Sequence, residues 1–91
     1  MDKLPNKVKI VEDVLAQDLE REAVLLNLST EHYYGLDEVG QYLWKMFSKH
    51  EDVQFVYETM LKEYDVTPGR LEKDMILFIK KLSEAQLIVV S

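Results

Sequence analysis

The sequence predicts a single α+β domain in which a three-stranded antiparallel β-meander is followed by three α-helices. Length is the first observation: 91 residues, 47% of them apolar, suffice for one hydrophobic core and are few for two. The second is a change of hydrophobic period at about residue 37, from short runs rich in β-branched residues, Leu and Tyr to apolar positions three or four residues apart.

Three short apolar runs in the first third of the chain predict the strands. They lie at Val14 to Leu19, Ala23 to Leu28 and His32 to Leu36. Polar separators of three residues divide them and are short enough for hairpins, so we expect an antiparallel meander. The first run is the weakest strand candidate, because Ala16, Gln17 and Asp18 have little strand preference.

Helical spacing begins at Asp37, which is the predicted N-cap of the first helix. A second helix is predicted from about Asp52 to Tyr64, where the apolar residues fall on one stripe. Thr67-Pro68 supplies a cap and a Pro at the first position of a third helix that runs to about Ala85. We expect the apolar residues at 86–90 to pack back on the core.

Composition argues against several classes of partner and cofactor. The chain has no Cys, which excludes disulfides, thiolate metal sites and a Cys nucleophile. A net charge of -6 and a pI of about 4.8 disfavour a nucleic-acid partner. The longest apolar run is five residues, against roughly 20 for a membrane span. We therefore expect a cytoplasmic protein without a membrane partner.

The residue types that most often act in catalysis do not form a recognisable active-site pattern in this sequence. His32 and His50 have no partner residues at metal-ligand spacing. The acidic pairs Glu12-Asp13 and Glu51-Asp52 are adjacent in sequence, so their side chains point in different directions. The sequence also lacks a Gly-rich phosphate-binding loop. We predict no catalytic residue, no metal site, no cofactor and no enzymatic activity.

The predicted third helix carries more apolar side chains than one buried face requires. Five residues already fill an arc of about 100°: Leu71, Met75, Phe78, Ile79 and Leu82. Ile76 and Leu77 lie outside this arc. Two interpretations remain open: the helix is covered on two sides, or one flank lines a groove for an apolar partner.

The predicted third strand is an edge of the meander. It contains neither Pro nor Lys, which commonly protect an edge strand, so its free backbone groups invite another strand. Alternation places Tyr34 and Leu36 toward the core and Tyr33 and Gly35 on the other face. The alternative is an edge that the protein covers itself, with ordinary packing of the two tyrosines.

Two segments carry a resemblance to a known family. They are AVLLNL at 23–28 and HYYGLDEVG at 32–40, followed by Trp44 in the first predicted helix. This order resembles the signature of the coenzyme PQQ synthesis protein D family, and the similarity extends over about residues 12 to 90. Asp37 stands where the family usually has Asn, and Gln86 where it often has Gly. Both departures are local.

The resemblance implies a winged-helix-like fold and a binding module for ribosomally made, post-translationally modified peptides. By this resemblance, we expect the leader segment of the precursor to join the sheet beside the third strand and the third helix. The complex is then expected to present the peptide to a maturation enzyme such as a lasso-peptide leader protease or a radical SAM enzyme. We expect this domain at residues 8–91, after a flexible segment at 1–7. The expected peptide-binding residues are Leu28, His32, Tyr33, Tyr34, Gly35, Lys73, Ile76, Leu77, Ile79 and Lys80.

Charge leaves two readings of the partner open. Lys73 and Lys80 would attract leader carboxylates, whereas the acidic remainder favours a basic leader or enzyme surface. The alternative function is a winged-helix transcriptional regulator, because such folds commonly place a helix in the DNA major groove. The basic residues of the third helix are interleaved with acidic ones, which disfavours contact with phosphates.

Overall fold

The structure is a computed structural model that describes residues 3–20 and 22–91, which form five strands and three helices. The strands are β1 (Val8–Ile10), β2 (Val14–Asp18), β3 (Ala23–Asn27), β4 (Tyr33–Leu36) and β5 (Ile88–Val90). The helices are α1 (Glu38–Lys49), α2 (Val53–Glu63) and α3 (Pro68–Glu84). The predicted α+β fold, with a three-stranded antiparallel meander before three helices, is confirmed.

The meander has the strand order β2-β3-β4, and both pairings are antiparallel. Leu26 on β3 lies between Leu15 on β2 and Tyr33 on β4. In β4 the side chains alternate as predicted: Leu36 is buried and Tyr34 half-buried, whereas Tyr33 is exposed. The meander therefore packs one face on the core and leaves the other face open.

Capping chemistry fixes the starts of the helices. The Asp37 carboxylate accepts a hydrogen bond of 2.8 Å from the Gly40 amide, as expected for an N-cap. Asp52 caps α2 in the same way through the amides of Gln54 and Phe55. At α3, Pro68 occupies the first helical turn, but the side chain of Thr67 makes no capping hydrogen bond. Pro68 lacks an amide hydrogen, which at the first helical position would have no partner within the helix, so it is well suited to this start.

The third helix ends in a Schellman motif. The Leu87 amide donates to the Leu82 carbonyl and the Gln86 amide to the Ser83 carbonyl, each at 3.0 Å. Gln86 adopts the left-handed conformation with φ of 60°, which Gly adopts with the least strain. Leu82 and Leu87 are both buried. The helix thus stops sharply, although Gln occupies the position where the family often has Gly.

A second sheet was not predicted from the sequence. β1 pairs antiparallel with β5, with Val8 opposite Val90 and Ile10 opposite Ile88. Three residues are too few to show a period, and the pairing joins the two ends of the chain, so no hairpin signal marks it. The apolar ending at 86–90 does pack on the core, through the buried Leu87 and Ile88.

The segment before β1 is partly hydrogen-bonded. The amides of Asn6 and Lys7 donate to the Ser91 carbonyl at 3.0 Å, and the Val53 amide donates to the Asn6 carbonyl. Residues 1–2 of the predicted flexible segment lie outside the described residues. The division into a flexible segment at 1–7 and a domain at 8–91 therefore stays a prediction, with Asn6 and Lys7 attached to the domain.

The core draws on both sheets and all three helices. Its most deeply buried side chains are Val8, Leu25, Val53, Val56, Met60, Met75, Ile79, Leu82 and Leu87. Leu43 and Phe47 of α1 are buried in the same cluster. Within the described part of the chain, no helix combines the length and the apolar character that crossing a membrane requires.

Candidate functional site

Strand β4 is an open edge of the meander. It pairs with β3 on one side, and no strand of the described residues pairs with its other side. The predicted edge position of this strand is confirmed. Its free row of backbone amides and carbonyls is available to a further strand, because neither Pro nor Lys interrupts residues 33–36.

A groove of about 310 Å³ runs between this open edge and α3. The start of α1 contributes to its lining. The lining residues are Tyr34, Gly35 and Leu36 from β4, Asp37 and Gly40 from the start of α1, and Asp74, Leu77, Phe78 and Lys81 from α3. An extended segment paired with β4 would lie about 4.8 Å from it, inside this groove.

The two glycines at the groove have opposite surroundings. A Cβ built on Gly35 meets no atom within 4 Å, so this position borders open space. A Cβ on Gly40 would lie 3.3 Å from atoms of Leu36 and Phe78 and 3.2 Å from the Asp37 carboxylate. Gly40 therefore allows α1 to approach β4 and α3 closely, and this approach helps to set the position of α3.

Tyr34, Gly35 and Leu77 are the predicted site residues that line the groove. Leu77 is 52% exposed, so this flank of α3 is uncovered. This agrees with the interpretation that one flank of the third helix lines a groove. Burial raises the pKa of Tyr34, and the nearby Asp37 carboxylate raises it further. Its hydroxyl therefore stays protonated at neutral pH and can donate a hydrogen bond.

Four predicted residues of α3 do not line the groove. Ile79 is fully buried and belongs to the core. Ile76, Lys73 and Lys80 lie on the opposite flank of the helix. At 100° per residue, the buried Met75 separates these three residues from the groove residues. The helical period separates the two flanks, but it does not indicate which flank faces β4.

The remaining predicted residues lie near the turn between β3 and β4. Leu28 and Tyr33, together with Leu26 and Glu31, line a separate depression of about 330 Å³. Tyr33 is 72% exposed, and His32 is exposed as well. These side chains belong to the turn or to the outer face of the meander, and the groove does not include them.

Several groove residues were missed by the sequence analysis. They are Leu36, Asp37, Gly40, Asp74, Phe78 and Lys81. Phe78 fell within the predicted buried arc, which concealed its position at the border between core and groove. Gly40 had a usable signal, because an unexplained Gly in the first turn of a helix often marks a close approach.

Acidic side chains predominate where β4 passes into α1. A second depression, of about 520 Å³, shares Gly35, Leu36 and Asp37 with the groove and adds Glu22 and Glu38. On α3, the exposed Arg70 and Asp74 are 3.9 Å apart, a pair that contributes little because it is solvated. Among the described residues, no three potential ligands of the His, Cys, Asp and Glu types gather to hold a metal ion.

Comparison with known proteins gives the family. The model of the family described as coenzyme PQQ synthesis protein D (PqqD) matches residues 22–88, well over half of the chain. The chain belongs to the PqqD family. This confirms the resemblance that the segments at 23–28 and 32–40 indicated.

Two solved structures are similar to this PqqD-family chain. The first is TbiB1 in complex with the TbiA(beta) leader peptide, with 30% identity, a TM-score of 0.81, and coverage of 88% of this chain and 93% of that chain. The second is a lasso peptide synthetase B1 complexed with the leader peptide, with 17% identity, a TM-score of 0.75, and coverage of 91% and 98%. The second likeness shows the fold alone. A search of curated proteins gave no match.

Proposed function

We propose that this protein binds the leader segment of a ribosomally synthesised precursor peptide by adding it as a strand to β4, and that the protein itself catalyses no reaction. The observation that carries the proposal is the open edge of β4 beside the groove under α3. Membership of the PqqD family supports it, as do two similar structures that are complexes with leader peptides.

The apolar residues of the groove decide the affinity in this proposal. Each main-chain hydrogen bond contributes about 0.5–1.5 kcal/mol net, and each buried apolar side chain about 1.5–3 kcal/mol. Association costs about 4–15 kcal/mol, and ordering a flexible peptide costs about 2–5 kcal/mol more. Backbone pairing alone does not offset these costs. Leader side chains packed against Leu77, Phe78 and Tyr34 supply the difference.

The same geometry suits delivery of the peptide to a maturation enzyme. A strand paired with β4 turns alternate side chains into the groove and leaves the others on the outer face. The residues after the paired segment stay free of the groove. The precursor thus remains accessible, in the cytoplasm where it is synthesised, to a leader protease or a radical SAM enzyme.

Titration of a labelled leader peptide tests the proposal. The probe is the leader encoded by a precursor gene adjacent to the gene for this chain, and fluorescence anisotropy reports binding. Leu77→Asp is expected to weaken binding tenfold or more, since it places a charge in the groove. Leu15→Asp on β2 is the matched control, because Leu15 is also 52% exposed.

Each outcome of this titration has a distinct meaning. Loss of binding in Leu77→Asp with normal binding in Leu15→Asp supports the groove beside β4. The reverse pattern would move the peptide to the β2 edge and contradict the proposal. Absence of binding by the unmodified protein, with binding to duplex DNA instead, would favour the transcriptional regulator.

A further inference from the structure

Asn27 is a polar side chain buried in the core, with 3% of its surface exposed. It lies at the end of β3, where the chain turns toward β4. Its Oδ1 accepts hydrogen bonds from the amides of Ser29 at 2.8 Å and Thr30 at 3.1 Å, and its Nδ2 donates to the Gln86 carbonyl at 2.7 Å. Both polar atoms of this amide are therefore satisfied, as burial requires.

The hydrogen bonds of Asn27 differ in the sequence separation of the residues that they join. Those of Oδ1 are local and hold the turn between β3 and β4 in the manner of an Asx-turn. The hydrogen bond of Nδ2 joins residues 59 positions apart and links the meander to the corner between α3 and β5. Within the described ranges, no other hydrogen bond connects residues 14–36 with residues 68–91.

This bond is the polar attachment between the end of α3 and the meander. Apolar packing supplies the rest: buried α3 side chains share one core with Leu25 and Leu36, and Phe78 lies against Gly40. Lys81, which lines the groove, lies between Phe78 and Gln86 along the chain. The Schellman motif connects Gln86 rigidly to the last turn of α3, so a displacement of its carbonyl moves that turn.

We propose that Asn27 is a positioning residue for peptide binding, and that its hydrogen bond to the Gln86 carbonyl sets the distance between α3 and β4. This inference rests on the proposed function of the groove. The two roles of Asn27 require a primary amide. Its oxygen accepts from the amides of Ser29 and Thr30, and its nitrogen donates to the Gln86 carbonyl. A carboxylate supplies the acceptor and lacks the donor.

Asn27→Asp separates the local role from the positioning role. Above its pKa the introduced carboxyl group is a carboxylate, which still accepts from Ser29 and Thr30 but repels the Gln86 carbonyl. We expect leader-peptide affinity to fall at least tenfold in a folded protein. The pKa of the introduced carboxyl group is measured by NMR, because burial raises this pKa and the two amide donors lower it. Below that pKa the group is protonated. It then donates to Gln86, and affinity returns to within threefold of the unmodified protein at that pH.

The affinity of the unmodified protein is measured at each pH as well. The effect of neighbouring groups that titrate then cancels in the ratio of the two affinities. The charged or titratable groups near the turn are Asp13, which accepts from the Ser29 hydroxyl, together with Glu31 and His32. Val8→Ala in the small sheet is the stability control, because Val8 is fully buried and lies outside the groove lining. It should lower the unfolding temperature and leave peptide affinity unchanged.

The outcomes separate this inference from the proposed function. If the unmodified protein binds no leader peptide, the proposed function is wrong and the inference falls with it. If the unmodified protein binds, and Asn27→Asp binds equally well above the measured pKa of the introduced carboxyl group or fails to recover below it, only the inference is overturned. Should the variant not fold, the same comparison is made in the Gln86→Gly background, which keeps the backbone carbonyl and relieves the left-handed strain.

Discussion

The two edge strands of the meander, β2 and β4, have the same backbone chemistry and different surroundings. Each leaves one row of amides and carbonyls without a strand partner among the described residues. From Leu15 to Asp18 every residue of β2 is exposed, whereas β4 lies beside the groove formed with Leu77 and Phe78 of α3. An open edge supplies hydrogen bonds, and only an adjacent apolar wall supplies the burial that binding requires.

Charge adds a second difference between regions of the molecule. The segment 12–38 contains eight acidic residues and one basic residue, a net charge of -7, while the whole chain carries -6. The remaining residues therefore sum to +1. This polarity disfavours pairing of two meanders edge to edge, since like charges would meet, and it favours a partner with basic groups near β4.

The largest effect is expected from enlarging Gly40. Gly40→Val forces atoms into the contact with Leu36 and Phe78 and pushes α3 away from β4. Overpacking of this kind destabilises by about 1–3 kcal/mol. Chemical denaturation measures this loss, and peptide affinity should fall as well. Gly35→Val is the control, because its Cβ meets no atom within 4 Å and should leave stability nearly unchanged.

Backbone methylation of the peptide distinguishes an added strand from a peptide that binds only through side chains. In a strand, alternate amides face the neighbouring strand. Methylating the leader amides that face β4 should reduce affinity at least tenfold, whereas methylating the alternate set should change it less than threefold. Titration calorimetry with the two peptides checks this. Equal losses for both would contradict β-strand addition.

Gln86→Gly should produce a smaller effect, and on stability alone. Gln86 has φ of 60° at the end of α3, where Gly relieves the strain of a left-handed conformation. We expect an increase in the free energy of unfolding of about 0.5–1 kcal/mol. The hydrogen bond from Asn27 uses the backbone carbonyl and survives the substitution. Thermal unfolding and the leader titration together check both expectations, and a large change in affinity would be inconsistent with them.

The sequence predicted those parts of the fold that depend on local chemistry. Asp37 and Asp52 marked helix starts because a cap acts within three residues of itself. The pairing of β1 with β5 escaped prediction because it depends on two chain ends meeting across the core. Likewise, the apolar excess of α3 left open whether both sides of the helix are covered, and only the packing of Phe78 against Gly40 determines which flank faces β4.

Ile76→Asp tests the assignment of the flank through a small expected change in leader affinity. Ile76 is half-buried and is separated from the groove residues by the buried Met75. We expect a moderate loss of stability and a change of less than twofold in leader affinity, against tenfold or more for the neighbouring Leu77→Asp. The two substitutions add the same charge one residue apart, so the helix orientation alone accounts for the difference. A tenfold loss for Ile76→Asp would place the peptide on the other flank of α3.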